Sequence, residues 1–311
     1  MIRCLSLAVT LAVSSQMAAA QSSNQRYAEV CRTLVGPLPD FSCADGVPVP
    51  VTVNGVAVKK PQPQMDCDSP ALLDNGAASD GQCVPHSRIL SLSTSSMMVS
   101  VMCRQKVIRD LASMEFDEID VIAHDPATGA TCWFQAAGSR AKPVNGLKVP
   151  SPTKAVDDSF WNRPETVAAD GCGNCHDNDP FMYSPFVGQV WHEVPVAPFG
   201  PYYHVGQKFG FAAWPTKIFA LRDNTCLGCH RIGQMETCGS LTKLMTGEVH
   251  PKDADALARS FPLSHAMPPS FGQDEASWNV IYRDAVAQIE SCCANPGQAA
   301  CALTQLPSAP P

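Results

Sequence analysis

The chain has 311 residues, which is enough for two modest domains. Its net charge of −7, together with the lack of any Lys and Arg cluster, argues against a nucleic-acid-binding protein. No apolar run reaches the ~20 residues that a helix needs to cross a bilayer, so no transmembrane segment is expected.

Residues 1–20 have the character of a secretory signal. Arg3 gives a positive start, residues 4–13 form an apolar core, and small residues end the stretch at Ala20. A buried N-terminal helix is the alternative interpretation. The pattern predicts a cleaved signal peptide and a protein that is periplasmic or otherwise exported.

The chain holds 15 cysteines, which is many for its length. One lies in the predicted signal and four lie in a repeated motif described below. An even remainder in an exported protein predicts a disulfide framework. The ten are Cys31, Cys43, Cys67, Cys83, Cys103, Cys132, Cys238, Cys292, Cys293 and Cys301. Adjacent Cys292 and Cys293 are expected to bond to different partners, and Cys103 with Cys132 is the favoured single pairing.

Residues 21–137 read as a small disulfide-rich module of β and α+β character. Asn54-Gly55, inside an alternating apolar run, predicts a hairpin of two short edge strands. Hydrophobic patterning predicts helices over 24–34 and 105–114, and strands over 97–102, 119–123 and 131–134. The module contains no recognisable catalytic constellation.

A proline-rich and glycine-rich stretch at 138–166 is the expected linker between two domains. Residues 167–311 then form the second domain. Its middle part is rich in aromatic residues and proline, which is typical of a chain that wraps an apolar group. Its clearest helix is predicted over 274–292.

The second domain carries the same short motif twice, as Cys172-Gly-Asn-Cys175-His176 and Cys226-Leu-Gly-Cys229-His230. The motif resembles the attachment sequence of c-type haem, in which two thiols form thioethers with the porphyrin and the histidine binds the iron. The resemblance implies a di-haem c-type cytochrome with two covalently attached haem c groups. Cys172, Cys175, Cys226 and Cys229 would hold the haems, and His176 and His230 would be proximal ligands.

Two other sites use paired cysteines. Four thiols can hold a structural zinc ion, and a Cys-x-x-Cys pair can act as a thiol–disulfide redox centre. The histidine after each pair and the absence of a βαβ pattern favour haem.

The two motifs do not themselves identify the distal iron ligands. Met267, followed by Pro268 and a C-terminal helix, resembles the distal end of a class I cytochrome c domain over 224–291. Met267 is therefore the first candidate for the second haem, with His265 as the runner-up. His204 is the first candidate for the first haem, with His192 as its runner-up.

The expected fold class is therefore α+β: the small disulfide-rich module followed by a mainly α-helical, loop-rich, cytochrome c-like di-haem domain. The expected function is electron transfer between periplasmic or membrane redox partner proteins, and no small-molecule substrate is evident. A haem enzyme such as a peroxidase, or a docking subunit of a larger respiratory complex, is the alternative. Two six-coordinate irons would favour the carrier, and a five-coordinate iron would favour the enzyme.

Overall fold

The structure is a computed structural model that describes residues 21–71, 73, 78–154, 159–196, 199–238, 242 and 275–307. The predicted signal peptide therefore lies outside the described residues. Within the described ranges, no helix is both long enough and apolar enough to cross a bilayer.

The regular elements are short apart from one N-terminal and one C-terminal helix. The α-helices are α1 (Ser23–Val35), α2 (Pro164–Ala169), α3 (Cys172–Cys175), α4 (Pro185–Gly188) and α5 (Glu275–Ala294). The strands are β1 (Val47–Pro48), β2 (Thr52–Val53), β3 (Val56–Ala57), β4 (Arg88–Ser91), β5 (Met98–Arg104), β6 (Glu115–Phe116), β7 (Glu118–His124), β8 (Ala130–Ala137), β9 (Val144–Asn145), β10 (Tyr203–His204), β11 (Lys217–Phe219) and β12 (Leu303–Gln305).

A six-stranded mixed sheet organises the fold, in the order β1-β4-β5-β7-β8-β10. Its neighbours pair antiparallel except β10, which pairs parallel with β8. Strand β8 is buried along most of its length because α1 packs against it through the Cys31–Cys132 disulfide and the contact of Tyr27 with Phe134. The sheet thus joins residues from both sides of the predicted linker.

Gly129 explains how β10 reaches this sheet. Its φ of +84° suits the tight turn between β7 and β8, and a Cβ at this position would overlap the backbone of Pro201 and Tyr202. The amide of Tyr203 donates to the Gly129 carbonyl at 2.9 Å. This close crossing fixes the position of His204, the next residue in the strand.

The prediction of a mainly α-helical cytochrome domain is wrong. Residues 167–238 contain only short helical turns, the strand β10 and one edge strand, and the mixed sheet is the main feature of the fold. Frequent Pro and Gly between the two motifs interrupt any longer helix. Within the described residues of this domain, the predicted C-terminal helix is found as α5.

The strands and the hairpin agree with their predictions, but the predicted helix at 105–114 is wrong. Its amides bond to carboxylates rather than to carbonyls four residues earlier. The amides of Lys106 and Val107 donate to the Asp117 carboxylate, and that of Ile108 donates to Asp80. The two carboxylates thus bind the backbone amides that a helix would need for its own hydrogen bonds.

The disulfide framework is confirmed, since all ten cysteines outside the motifs and the predicted signal are paired. The pairs are Cys31–Cys132, Cys43–Cys103, Cys67–Cys83, Cys238–Cys293 and Cys292–Cys301. The adjacent pair at 292 and 293 does bond to different partners. The favoured pairing of Cys103 with Cys132 is wrong because β7 lies between β5 and β8, which separates them by two strand spacings.

Asp117 provides a stability test of the N-terminal part. Its side chain is 5% exposed and forms a bidentate pair with Arg109 at 2.6 and 2.7 Å. Burial alone would raise the pKa of this carboxyl, but hydrogen bonds from Arg109 and Lys106 and the Arg109 charge hold it below its usual range. Asp117→Asn is expected to lower the free energy of unfolding by about 3 kcal/mol in urea titrations near neutral pH.

Asp40→Asn is the matched control, because Asp40 pairs with Lys154 at the same 2.6 Å but in solvent, and little change is expected. The pKa of Asp117 is lower in the folded state than in the unfolded state, where it lies near 4. Its contribution to the free energy of unfolding is therefore fully present above the unfolded-state pKa, and it is lost as the pH falls through the folded-state pKa. Equal effects of the two substitutions would contradict this role for Asp117.

Candidate haem-attachment site

The first motif forms a single helical turn, α3, which places both thiols on one short element. The amide of His176 donates to the Cys172 carbonyl at 3.0 Å and closes the turn. Gly173 faces the indole of Trp214 so closely that a Cβ would overlap the ring. The motif is therefore anchored against Trp214, whose Nε1 donates to the Ala168 carbonyl at 2.8 Å.

His176 lies against the sheet. Its ring centroid is 4.8 Å from that of Trp133 on β8, and its Nδ1 is buried without a hydrogen-bond partner. Burial lowers the pKa of this imidazole to about 4, although the backbone of Asp179 and of Pro180 opposes the shift. His176 is therefore neutral at physiological pH, which is the form that binds a metal.

His204, the predicted distal ligand, lies in the same aromatic cluster. Its side chain is 1% exposed, and its ring centroid is 4.9 Å from Trp214 and 5.9 Å from Trp133. Burial lowers its pKa to about 4, and the nearby His176 lowers it further, although the Pro215 backbone opposes both effects. Neither ring nitrogen of His204 forms a hydrogen bond. The structure therefore brings His176 and His204 together as two neutral imidazoles.

Four ring nitrogens of this cluster are buried without hydrogen bonds: Nδ1 of His176, both nitrogens of His204, and Nε1 of Trp133. Each such group costs about 1–3 kcal/mol, so native proteins rarely gather several. Coordination of one iron would use one nitrogen from each histidine. His176 and His204 are therefore the residues that would hold the iron of a haem tethered at Cys172 and Cys175.

The second motif is held by the C-terminal helix α5. Residues Cys226–Gly228 form a 3-10 turn, and the amide of His230 donates to the Cys226 carbonyl at 2.8 Å. The Asn224 side chain accepts from the amide of Cys226 at 3.1 Å and donates to the carbonyl of Ala285 at 2.8 Å. The disulfides Cys238–Cys293 and Cys292–Cys301 add covalent links in the same core cluster.

The second motif is more open than the first. Cys226 is partly buried, whereas Cys229 and His230 are exposed. A group attached at these thiols would therefore lie near the surface.

The two motifs are in direct contact through the residues that follow each histidine. The side-chain amide of Asn178 donates to the Arg231 carbonyl at 2.5 Å. The Asp177 carboxylate accepts from the amide of Met235 at 2.7 Å and from the Thr237 hydroxyl at 2.5 Å. The two attachment sites are consequently held beside one another by buried polar contacts.

A buried ion pair adds to this junction. Arg231 Nη1 lies 3.4 Å from an oxygen of Asp179, and its Nη2 donates to the Gly200 carbonyl at 2.6 Å. Burial raises the pKa of both Asp177 and Asp179 to about 6, even though Arg231 favours the charged form of Asp179. The junction therefore places one arginine and two carboxyl groups between the motifs.

The remaining predicted ligands are placed as follows. His192 is exposed and lies 3.4 Å from the carboxylate of Glu193, and the structure does not bring it to the cluster. Met267 and His265 lie outside the described residues. The sheet also brings Trp133, which the sequence did not single out, and His124, which ranked low among the candidate ligands, to the site.

The thiols of the two motifs differ from all other described cysteines, because only these four are unpaired. Burial raises the pKa of Cys172 to about 12 and that of Cys175 to about 11. A thiol–disulfide redox centre needs the opposite, a thiolate favoured by a low pKa. The described residues contain no group of three or more His, Cys, Asp or Glu side chains arranged to hold a metal ion. A haem iron takes only two protein ligands.

Comparisons with known proteins give no match: no protein-family model fits the chain, and no curated protein or solved structure is significantly similar to it. The site is therefore interpreted from its own chemistry.

Proposed function

We propose that this protein is an exported di-haem c-type cytochrome that transfers electrons between redox partner proteins. The observation that carries the proposal is the division of the cysteines. Of the cysteines that the structure describes, ten are oxidised to five disulfides, and the four that stay free are those of the two Cys-x-x-Cys-His motifs. Free thiols that survive among so many disulfides are suited to another covalent role. The five disulfides are also consistent with export to an oxidising compartment.

The bound haems would supply the one-electron chemistry. The chain's part is to tether them at Cys172, Cys175, Cys226 and Cys229 and to offer imidazoles from His176 and His230. His204 is the proposed distal ligand of the first haem. The contacts between the motifs would hold the two haems close to each other.

Because the two motifs differ in burial, a partner protein would reach one haem more easily than the other. The first motif faces the aromatic cluster under the sheet, whereas Cys229 and His230 of the second motif face solvent. A partner protein would therefore exchange electrons most readily through the second haem. A buried pair of neutral imidazoles favours a six-coordinate first haem and so a carrier rather than a peroxidase.

Expression of the full chain with a cytochrome c maturation system tests the proposal. A pyridine haemochrome assay is expected to give two covalent haems per chain. The double substitution Cys226→Ala and Cys229→Ala should leave one haem, since the first motif stays intact. The single substitution Ser139→Ala, far from both motifs in sequence, is the control and should retain two. A colourless product, or one that contains zinc in place of iron, would refute the proposal.

A further inference from the structure

The two faces of the central strands β5 and β7 differ in burial. On one face the side chains are enclosed by the main hydrophobic core, and Val99, Val101 and Ile119 are 0% exposed there. The side chains that alternate with them point to the other face and are only partly buried, although each strand has a neighbour on both sides. We call this second surface the open face. It comprises Met98, Ser100, Met102, Asp120 and Ile122.

The open face is more apolar than a face that meets water. Antiparallel sheets with one solvated side usually place polar residues on that side. The open face instead carries Met98, Met102 and Ile122, which pack against a cluster of buried residues that includes Phe181 and Phe186. An apolar surface that its own chain covers only in part is suited to an apolar ligand.

Both histidines proposed for the first haem lie on the side of the sheet that carries the open face. Directly opposed residues of neighbouring strands share a face, and Trp133 of β8 is opposite Ile122. The ring of His176 lies 4.8 Å from that of Trp133. His204 of β10 is opposite Thr131, which precedes Trp133 by two positions and so points to the same side.

The first motif is packed onto this side of the sheet both before and after its histidine. Gly173 lies against the indole of Trp214, whose ring is 5.1 Å from that of Trp133. After the motif, the ring of Phe181 lies 6.1 Å from that of His124, which ends β7 in the same row as Ile122. A group tethered at this motif is therefore held beside the open face.

We propose that the porphyrin of the haem tethered at Cys172 and Cys175 packs against the open face, with Ile122 and Trp133 as its apolar wall. This inference rests on the proposed function and names the surface of the chain that would bind the cofactor. The methionines of the open face continue the apolar surface beyond Ile122, and their flexible thioethers can adapt to the edge of a rigid ring. One sheet would then supply a distal ligand and a wall for the same haem.

Methyl NMR of the fully matured protein, isotope-labelled at the isoleucine δ methyl groups, tests the proposal. In the reduced protein the porphyrin ring current should shift the Ile122 resonance upfield of the other isoleucine resonances. Oxidation to paramagnetic ferric iron should then move it again. Ile119 is the matched control, because it lies on the same strand but points to the opposite, fully buried face.

Substitution by valine assigns the two resonances, since Ile122→Val and Ile119→Val each remove one of them. If Ile122→Val does not mature, Ile122→Leu replaces it. An Ile122 resonance at an ordinary position in a protein that carries two haems would overturn the proposal. A shift of the Ile119 resonance as large as that of Ile122 would also overturn it.

The double substitution Cys226→Ala and Cys229→Ala separates the two haems. This variant should keep only the first haem, and the shifted Ile122 resonance should remain. Loss of the shift in a variant that retains one haem would assign the neighbouring porphyrin to the second motif and overturn the proposal. Fewer than two haems in the wild-type protein would instead refute the proposed function itself.

Discussion

Replacing His204 with methionine is expected to raise the reduction potential of the first haem and to leave that of the second haem unchanged. Methionine–histidine ligation favours ferrous iron relative to bis-histidine ligation. Axial ligands set haem potentials over a range of roughly 0.8 V, so a change of ligand type should move the transition well beyond measurement error. His204 is buried among Trp133, Trp214 and Tyr202, where a flexible thioether can be accommodated.

A spectroelectrochemical titration that resolves the two haems measures this effect, and magnetic circular dichroism identifies the new sulfur ligand. His192→Met is the matched control, since His192 was the alternative ligand from the sequence and its side chain is 71% exposed. If the reduction potential rises in His192→Met but not in His204→Met, then His192 is the distal ligand of the first haem. That result would contradict the assignment of His204 in the aromatic cluster.

Local patterns in the sequence predicted the features that depend on a few neighbouring residues. The Asn54-Gly55 hairpin is of this kind, and so is the disulfide framework, which was predicted from the even number of cysteines left outside the motifs and the predicted signal. Each of these predictions uses only neighbouring residues or a residue count, so it needs no knowledge of the fold. The strands 97–102 and 119–123 were also predictable, because alternation of apolar residues reports which face is buried.

The site itself depends on long-range pairing, which the sequence does not reveal. Strand β10 has only two residues, and its parallel pairing with β8 joins positions more than 70 residues apart. That pairing places His204 in the sheet, in the same row as His124, with Thr131 of β8 between them. One signal was present for His124: it follows Asp120 and Ile122 on one face of β7, and those two residues are only partly buried, so a fully buried histidine at the end of this row is unusual.

The mainly helical expectation failed for a related reason. It was taken from a resemblance of residues near Met267 to a class I cytochrome c domain, and a resemblance over one end of a domain does not determine the rest. The segment between the motifs is held by contacts with the sheet and by hydrogen bonds such as that of Tyr202 to the His176 carbonyl at 2.7 Å. These contacts position the first motif without a long helix, whereas the second motif is held by α5.

Removal of the Cys31–Cys132 disulfide is expected to cause the largest loss of stability. The bond links α1 to β8 across 101 residues of sequence, and in the loop-entropy description a bond of that span contributes about 4–5 kcal/mol. Both cysteines are fully buried. Cys132 is also adjacent to Trp133, whose backbone amide donates to the Tyr27 hydroxyl of α1 at 3.1 Å. Loosening α1 would therefore disturb the aromatic cluster around His204.

The double variant Cys31→Ala, Cys132→Ala should be compared with Cys67→Ala, Cys83→Ala by guanidinium denaturation under oxidising conditions. The second pair is also buried but spans only 16 residues, for which the same description gives about 3 kcal/mol. Both double variants replace two cysteines with alanines. The difference between their unfolding free energies therefore measures the effect of the longer closed loop and of the covalent link between α1 and the sheet. The first variant should also change the absorption spectrum of the haem proposed at Cys172 and Cys175, whereas the second should not. A larger loss from the 67–83 pair, or an unchanged haem spectrum in the first variant, would show that α1 is held to the sheet by its apolar contacts alone.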